Sequence, residues 1–323
     1  MSQTTFEPDT LRKFLDRTSI SVVDGIPDDG GKVSPVVFRD RPLLRLTDGS
    51  VVPVFPPFLL EKLTQDIFWW LKPLTTDQQL HWQQQWGYIA EAYVLRVLAR
   101  CAHLASCQFK PRLMTAAGEI DAVMWSKGQV AVFEITSSGP RAAEGTSVRW
   151  QDVRDGLRRA FVERPGTGKK EAIFQLARDV RLVLNGGIQS GVSISNLQRI
   201  YPVMIGTDRS VRTVGVSPFL EEEFAAQLTA DERQHVAGLA IWGLEDLETL
   251  ESLLHTRADL RKHTPHDLLK VLRRWDLERG QAPSWWQFVA AAYGAVAVND
   301  ELQEEFEAFR ATLPTFFRRD SVG

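Results

Sequence analysis

Three apolar, extended segments follow one another with almost no chain between them: Gln108 to Met114, Glu119 to Trp125 and Gln129 to Ile135. The last two are joined by Ser126-Lys127-Gly128, a connection far too short for a crossover, so they must pair antiparallel in a β-meander. A meander buries its apolar face only against another layer. The flanking sequence supplies one on each side. Before it, Thr76 to His103 repeats Trp86, Ala90, Tyr93, Val94, Val97, Leu98 and Cys101 at intervals of three and four, the spacing of an amphipathic helix. After it, a helix is expected from about Lys170 to Leu184, stopped by Asn185-Gly186-Gly187. Strands are expected over Leu197 to Ile205, Val211 to Val216 and Ala237 to Trp242, the last running into a helix from Glu245 to Leu254. The fold class is therefore α/β.

The remainder divides around this core. Residues 1–75 read as a short helix (Pro8 to Arg17), an Asp/Gly-rich segment, a hairpin and a second helix (Phe58 to Leu71) closed by Pro73. The hairpin sets Pro42 to Thr47 against Val51 to Val54 around Asp48-Gly49, a pair that tolerates positive φ. Residues 76–215 form the α/β core, and residues 216–323 a mostly helical subdomain, helical from about Thr264 to Arg310. With 44% hydrophobic residues and a net charge of −3, the chain can bury enough surface to offset its entropy. Two cysteines, Cys101 and Cys107, cannot staple 323 residues, which favours a reducing compartment. Met1 to Asp9 lacks the layout of a signal peptide, and the longest apolar run, Val289 to Val298, is too short to span a bilayer. A cytoplasmic protein without membrane contact is expected. Charge is uneven: residues 1–215 hold 27 basic and 22 acidic side chains, and residues 216–323 hold 11 and 19. An acidic partner such as nucleic acid should meet the first two thirds.

Chemistry concentrates in the meander. Gly118-Glu-Ile-Asp121 and Val132-Phe-Glu134-Ile-Thr136 place two acids inside apolar, hydrogen-bonded segments. Alternation puts Asp121 on one face with Val123, and Glu134 on one face with Val132 and Thr136. Side by side, the two carboxylates repel unless a cation or a proton lies between them, and a hard divalent ion suits oxygen donors. A third acid, Glu91, lies on the long helix on the flank of Val94, Leu95 and Leu98, with Gly87 one turn before it permitting close approach to the sheet.

A helix with an inward Glu, a meander bearing Asp121 and, after twelve intervening residues, Glu134, then a helix with Gln175-Leu176 and another strand resembles the PD-(D/E)xK restriction-endonuclease-like phosphodiesterase superfamily over roughly residues 76 to 210. The resemblance implies an αβββαβ core with a mixed central sheet and divalent-metal-dependent cleavage of nucleic-acid phosphodiesters, in a defence or mobile-element setting. It also implies Mg2+ or Mn2+ on Asp121, Glu134 and the Ile135 carbonyl, with Glu91 as the helix carboxylate and Gln175 as the polar residue of the following helix. Two positions depart from the motif. Ile120 replaces its proline, and Thr136 stands where its lysine belongs. A threonine hydroxyl hydrogen-bonds but supplies no charge. Lys170, near the start of the following helix, is the candidate replacement, approaching from the helix terminus because five positions separate it from Gln175 by about 140°. The alternative is a degenerate nuclease fold kept as a nucleic-acid-binding or assembly subunit.

Other signals are weaker. Residues 141–182 carry ten Lys/Arg against six Asp/Glu, and Arg149, Arg154, Arg158, Arg159, Arg164 and Lys169 would either grip phosphates or form a solvated surface. DNA ranks ahead of RNA as partner, with a second copy of the chain or a partner protein also compatible. Pro165-Gly-Thr-Gly-Lys-Lys is not a phosphate loop, since Glu163 and Lys170 stand where Gly and Ser or Thr are required. His263 and His266 lack further ligands at metal spacing and read as a surface turn around Pro265. Ten tryptophans, with pairs at Trp69-Trp70 and Trp285-Trp286, serve packing before base stacking.

Overall fold

Asp48-Gly49 turns the chain as its sequence requires: Gly49 takes φ 81°, and Asp48 Oδ1 accepts the Ser50 N–H at 2.9 Å and the Ser50 hydroxyl at 2.6 Å. In the computed structural model, residues 12, 15–16, 18–21, 41–54, 79–139, 149–164, 169–186, 196–208, 211, 215–256, 267–278, 285–293 and 304 are described. They fall into two compact units, Met1–Gln85 and Trp86–Gly323. In the first, β1 (Ser19–Ser21) pairs parallel with β2 (Leu43–Arg45), which pairs antiparallel with β3 (Val51–Pro53) across the Asp-Gly turn. The hairpin is as expected. β1 was not legible, because Ser-Ile-Ser is too short to show a period. The helix expected over Phe58 to Leu71 lies outside the described residues, as does most of that expected over Pro8 to Arg17.

The second unit is organised by one mixed sheet. Helix α1 (Gln79–Leu104) leads into β4 (Gln108–Thr115), β5 (Gly118–Ser126) and β6 (Gln129–Thr136), which pair antiparallel in sequence order. The tight β5–β6 turn places Lys127 and Gly128 at φ 43° and 80°, and a Cβ on Gly128 would come 2.1 Å from the Asn196 carbonyl oxygen, so only glycine fits. Helix α2 (Trp150–Leu157) follows and runs into a π-helical turn, Arg158–Val162. After it come the two-residue strands β7 (Glu163–Arg164) and β8 (Lys169–Lys170), then α3 (Ala172–Leu184) and β9 (Arg199–Gly206). β9 pairs parallel with β6 from Gln129↔Arg199 to Thr136↔Gly206, so the chain crosses from one to the other by way of α3.

Helices α4 (Val216–Ala225) and α5 (Ala230–His235) lead to β10 (Ala240–Trp242), which pairs parallel with β9 and completes the order β10-β9-β6-β5-β4. Helices α6 (Leu244–Thr256), α7 (Asp267–Glu278) and α8 (Trp285–Tyr293) end the described chain apart from residue 304. The C-terminal third thus contributes a strand as well as helices to the central layer.

Of the strand expected over Val211 to Val216, residues 212–214 lie outside the described residues, and the described ends are not extended: Val211 lies in a 3-10 turn. Gly215 takes a left-handed φ of 89° and Val216 opens α4, because Val216, Phe219, Leu220 and Phe224 recur at helical spacing and bury one face together. The Arg-rich stretch also differs from a plain surface loop: Leu157, Ala160, Phe161 and Val162 are buried within it.

Each face of the sheet carries its own core. On one, Val94, Val97, Leu98 and Cys101 of α1 join Ala122, Met124 and Phe133, together with Leu247, Leu250, Trp275 and Trp285 of α6 to α8. On the other, Val123, Val130 and Val132 pack with Phe161, with Ile173, Leu176 and Val180 of α3, and with Phe219 and Leu220 of α4. The result is a three-layer α/β/α arrangement. No helix among the described residues is long and apolar enough to cross a membrane.

Candidate functional site

Asp121 is released from both neighbours of β5. The ladder to β4 runs through Pro111↔Ala122 and resumes at Leu113↔Ile120, omitting the Arg112–Asp121 pair, and Arg112 bends β4 with φ 47°. The ladder to β6 ends at Ala122↔Phe133. The next N–H of β6 aimed at β5, that of Ile135, donates instead to Asp121 Oδ2 at 2.7 Å. Continuing the register sets Asp121 opposite Glu134. Two residues from Asp121 stands Val123, two from Glu134 stands Val132, and both valines lie in the layer beneath α3. The two carboxylates therefore meet on one face of the sheet, where parallel strands β6 and β9 end at Thr136 and Gly206. Carboxyl ends of parallel strands are where open α/β sheets place their ligands.

The acids act on one another's protonation. Burial pushes the Asp121 carboxyl up to about 6; the Ile135 N–H works against this, while the charges of Glu91 and Glu119 add to it. Glu134, 5% exposed, is raised well above the usual carboxylate range by burial first and then by the charges of Asp121 and Asp179. Asp179 of α3 is fully buried and likewise raised to about 6, mainly by burial, with Asp121 adding to it. These acids favour holding a proton or sharing a cation.

Glu91 comes near enough to act on Asp121, and its Oε1 accepts from Arg112 Nε at 2.9 Å. A Cβ on Gly87 would stand 3.4 Å from Ser137 Oγ, so α1 passes close to the end of β6, as the small residue suggested. Thr136 is buried, and its Oγ1 accepts the Ser138 N–H at 3.1 Å. Gln175 lies one turn after Glu171 and one turn before Asp179, on the flank of α3 that faces the acids.

Lys170 departs from expectation. It stands on β8 opposite Glu163 rather than on the helix, which begins only at Ala172 with Glu171 as its N-cap residue. The side chains of Lys169, Lys170 and Arg164 lie outside the described residues. Of the other basic residues, Arg154 lies over the Phe219 ring at 5.6 Å and Arg158 pairs with Glu223 at 3.0 Å, so both engage α4. Arg149 is exposed, 4.0 Å from Asp152, and Arg159 is half-buried.

Three participants went unread in the sequence: Glu171, Arg178 and Asp179. Asp179 had a signal, since it falls in the apolar stripe Ala172, Leu176, Val183 at helical spacing, where an ionisable residue needs a reason. Arg178 Nε donates to Asp179 Oδ1 at 2.8 Å and its Nη2 donates to the Glu119 carbonyl at 3.0 Å.

Among the described residues no group of three His, Cys, Asp or Glu side chains is arranged to hold a metal ion. The donors at hand are two carboxylates and one carbonyl. The N–H and C=O of a strand residue point to the same edge, so the Ile135 carbonyl faces the gap in which Asp121 sits. That oxygen set fits a hard cation that keeps waters in its remaining positions. Comparison with family models, with curated proteins and with solved structures returned no match.

Proposed function

We propose that this chain cleaves nucleic-acid phosphodiesters with the help of Mg2+ or Mn2+, on a core of the PD-(D/E)xK restriction-endonuclease-like kind. The observation that carries the reading is the freeing of Asp121 from both ladders beside Glu134. A half-buried acid beside a buried one is costly to keep unless the site uses them. Asp121, Glu134 and the Ile135 carbonyl would hold the ion. A divalent cation bound there polarises a phosphoryl oxygen and lowers the pKa of an attacking water. The protein supplies the rest. The Ile135 N–H fixes one oxygen of Asp121 and would leave Oδ1 for the ion, and Glu91, pinned by Arg112, deepens the negative potential at Asp121. Gln175 presents an amide that can orient a water or a phosphate oxygen.

One observation favours a second reading, a binding or assembly subunit without catalysis. Thr136 brings no charge, and its hydroxyl oxygen is already engaged by Ser138. Plasmid, single-stranded DNA and RNA incubated with Mg2+ or Mn2+ against EDTA separate the two. Metal-dependent cleavage abolished by Asp121→Ala is the expected outcome, and binding without cleavage in every condition would install the subunit.

A further inference from the structure

Arg178 is the basic side chain whose charge acts on Asp121, Glu134 and Asp179 alike. Its guanidinium is held from one side only. Nε and Nη2 are committed to Asp179 Oδ1 and the Glu119 carbonyl, at 2.8 Å and 3.0 Å. Nη1 has no hydrogen-bond partner among the described residues and lies over Gly118, where an added Cβ would come within 3.2 Å of it. Gly118 takes φ 127°, a backbone that side chains rarely adopt, so the first residue of β5 combines an unusual conformation with room for this group. The arginine side chain is 38% exposed while Asp179 is fully buried. An anchored, partly exposed guanidinium thus sits on the α3 layer beside the start of β5, the strand that carries Asp121.

We propose that Arg178 supplies the positive charge that Thr136 cannot, its Nη1 edge meeting a nonbridging oxygen of the substrate phosphodiester while Asp179 positions it. This rests on the phosphodiesterase reading and names the residue that would touch the substrate anion. The chemistry suits the role. A guanidinium stays charged at every working pH, so it acts by electrostatic stabilisation and hydrogen bonding rather than as a proton donor or base. With Nε and Nη2 committed, the two N–H donors of Nη1 remain for a phosphate oxygen, and the anchored side chain holds them in a fixed direction. Asp179 keeps Oδ2 without a hydrogen-bond partner among the described residues, consistent with a carboxylate whose task is to orient the arginine through its other oxygen.

Removing Arg178 alone strands a buried Asp179, so the neutral pair Arg178→Gln/Asp179→Asn is tested beside Arg178→Lys, with thermal melting and circular dichroism confirming the fold. Binding of a labelled 20-base-pair DNA is followed by anisotropy with Ca2+ in place of Mg2+, across ~25–200 mM salt. The neutral pair should weaken binding roughly 3- to 10-fold and reduce the slope of log affinity against log salt by about 1. Cleavage in Mg2+ should fall by about 100-fold, with partial recovery in added guanidinium ion and in Arg178→Lys. Asp179→Asn alone should slow cleavage yet leave the salt slope unchanged, as a positioning residue requires. A folded neutral pair that binds with the wild-type slope and cleaves at the wild-type rate overturns the role of Arg178, and the phosphodiesterase reading survives if Asp121→Ala still abolishes cleavage. A wild-type chain with neither salt-dependent binding nor cleavage overturns both.

Discussion

Asp121 and Glu134 make the site depend on proton concentration in a direction opposite to that of ordinary paired carboxylates. Burial raises Asp121 from 3.8 to about 6, so the folded chain binds more protons than the unfolded one between those values. The contribution of this group to stability is then fully present below about 4 and is lost as pH rises through 6, a loss on the order of 3 kcal/mol. Glu134 is shifted in the same direction and extends the loss to higher pH. Asp121→Asn keeps an oxygen for the Ile135 N–H and removes the charge. In EDTA at pH 8 this variant should melt about 2–5 °C above the wild type, and the gap should close toward pH 4, as followed by scanning calorimetry. An equal gap at both pH values would deny that a buried negative charge is responsible.

Helices α1 and α6 are tied by ions as well as by apolar packing. Arg100 pairs through Nε and Nη2 with the two oxygens of the fully buried Glu251, and Tyr93 Oη donates to Glu248 Oε1 at 2.5 Å. Arg100→Ala leaves Glu251 uncompensated and should cost about 3–5 kcal/mol in urea unfolding, whereas Arg100→Met/Glu251→Leu should be nearly neutral. Elements of this kind separate what the sequence discloses from what it hides. The meander, α1 and α3 were legible because their apolar periods are long and their turns carry glycine. The pairing of Asp121 with Glu134 followed from alternation along two adjacent strands. Arg100 and Glu251 are 151 positions apart, and no local pattern relates them. The same limit concealed Arg178 and Asp179, whose role depends on where α3 crosses the sheet. Val216 misled because β-branched residues also open helices when the next apolar residues, here Phe219 and Leu220, fall three and four positions on.

The whole second unit is interdependent across the middle of the chain. β10 extends the sheet beyond β9, and Leu247, Leu250, Leu269, Trp275 and Phe288 complete the layer that covers Phe133, Val203 and Ile205. Residues 86–215 alone would expose that layer and the β9 edge to water. They should give no cooperative melting transition and no near-ultraviolet dichroism, while residues 86–323 should show both. A sharp transition in the shorter chain would make the C-terminal third an accessory.

Trp242, Trp275 and Trp285 cluster there, with ring centroids 4.9 Å and 5.7 Å apart for the successive pairs through Trp285, and their indole N–H groups have no hydrogen-bond partner among the described residues. Fluorophores so shielded from solvent dipoles emit toward the blue. The layer opposite the acids thus carries an intrinsic optical gauge, whose shift toward the red would register loosening there without any label.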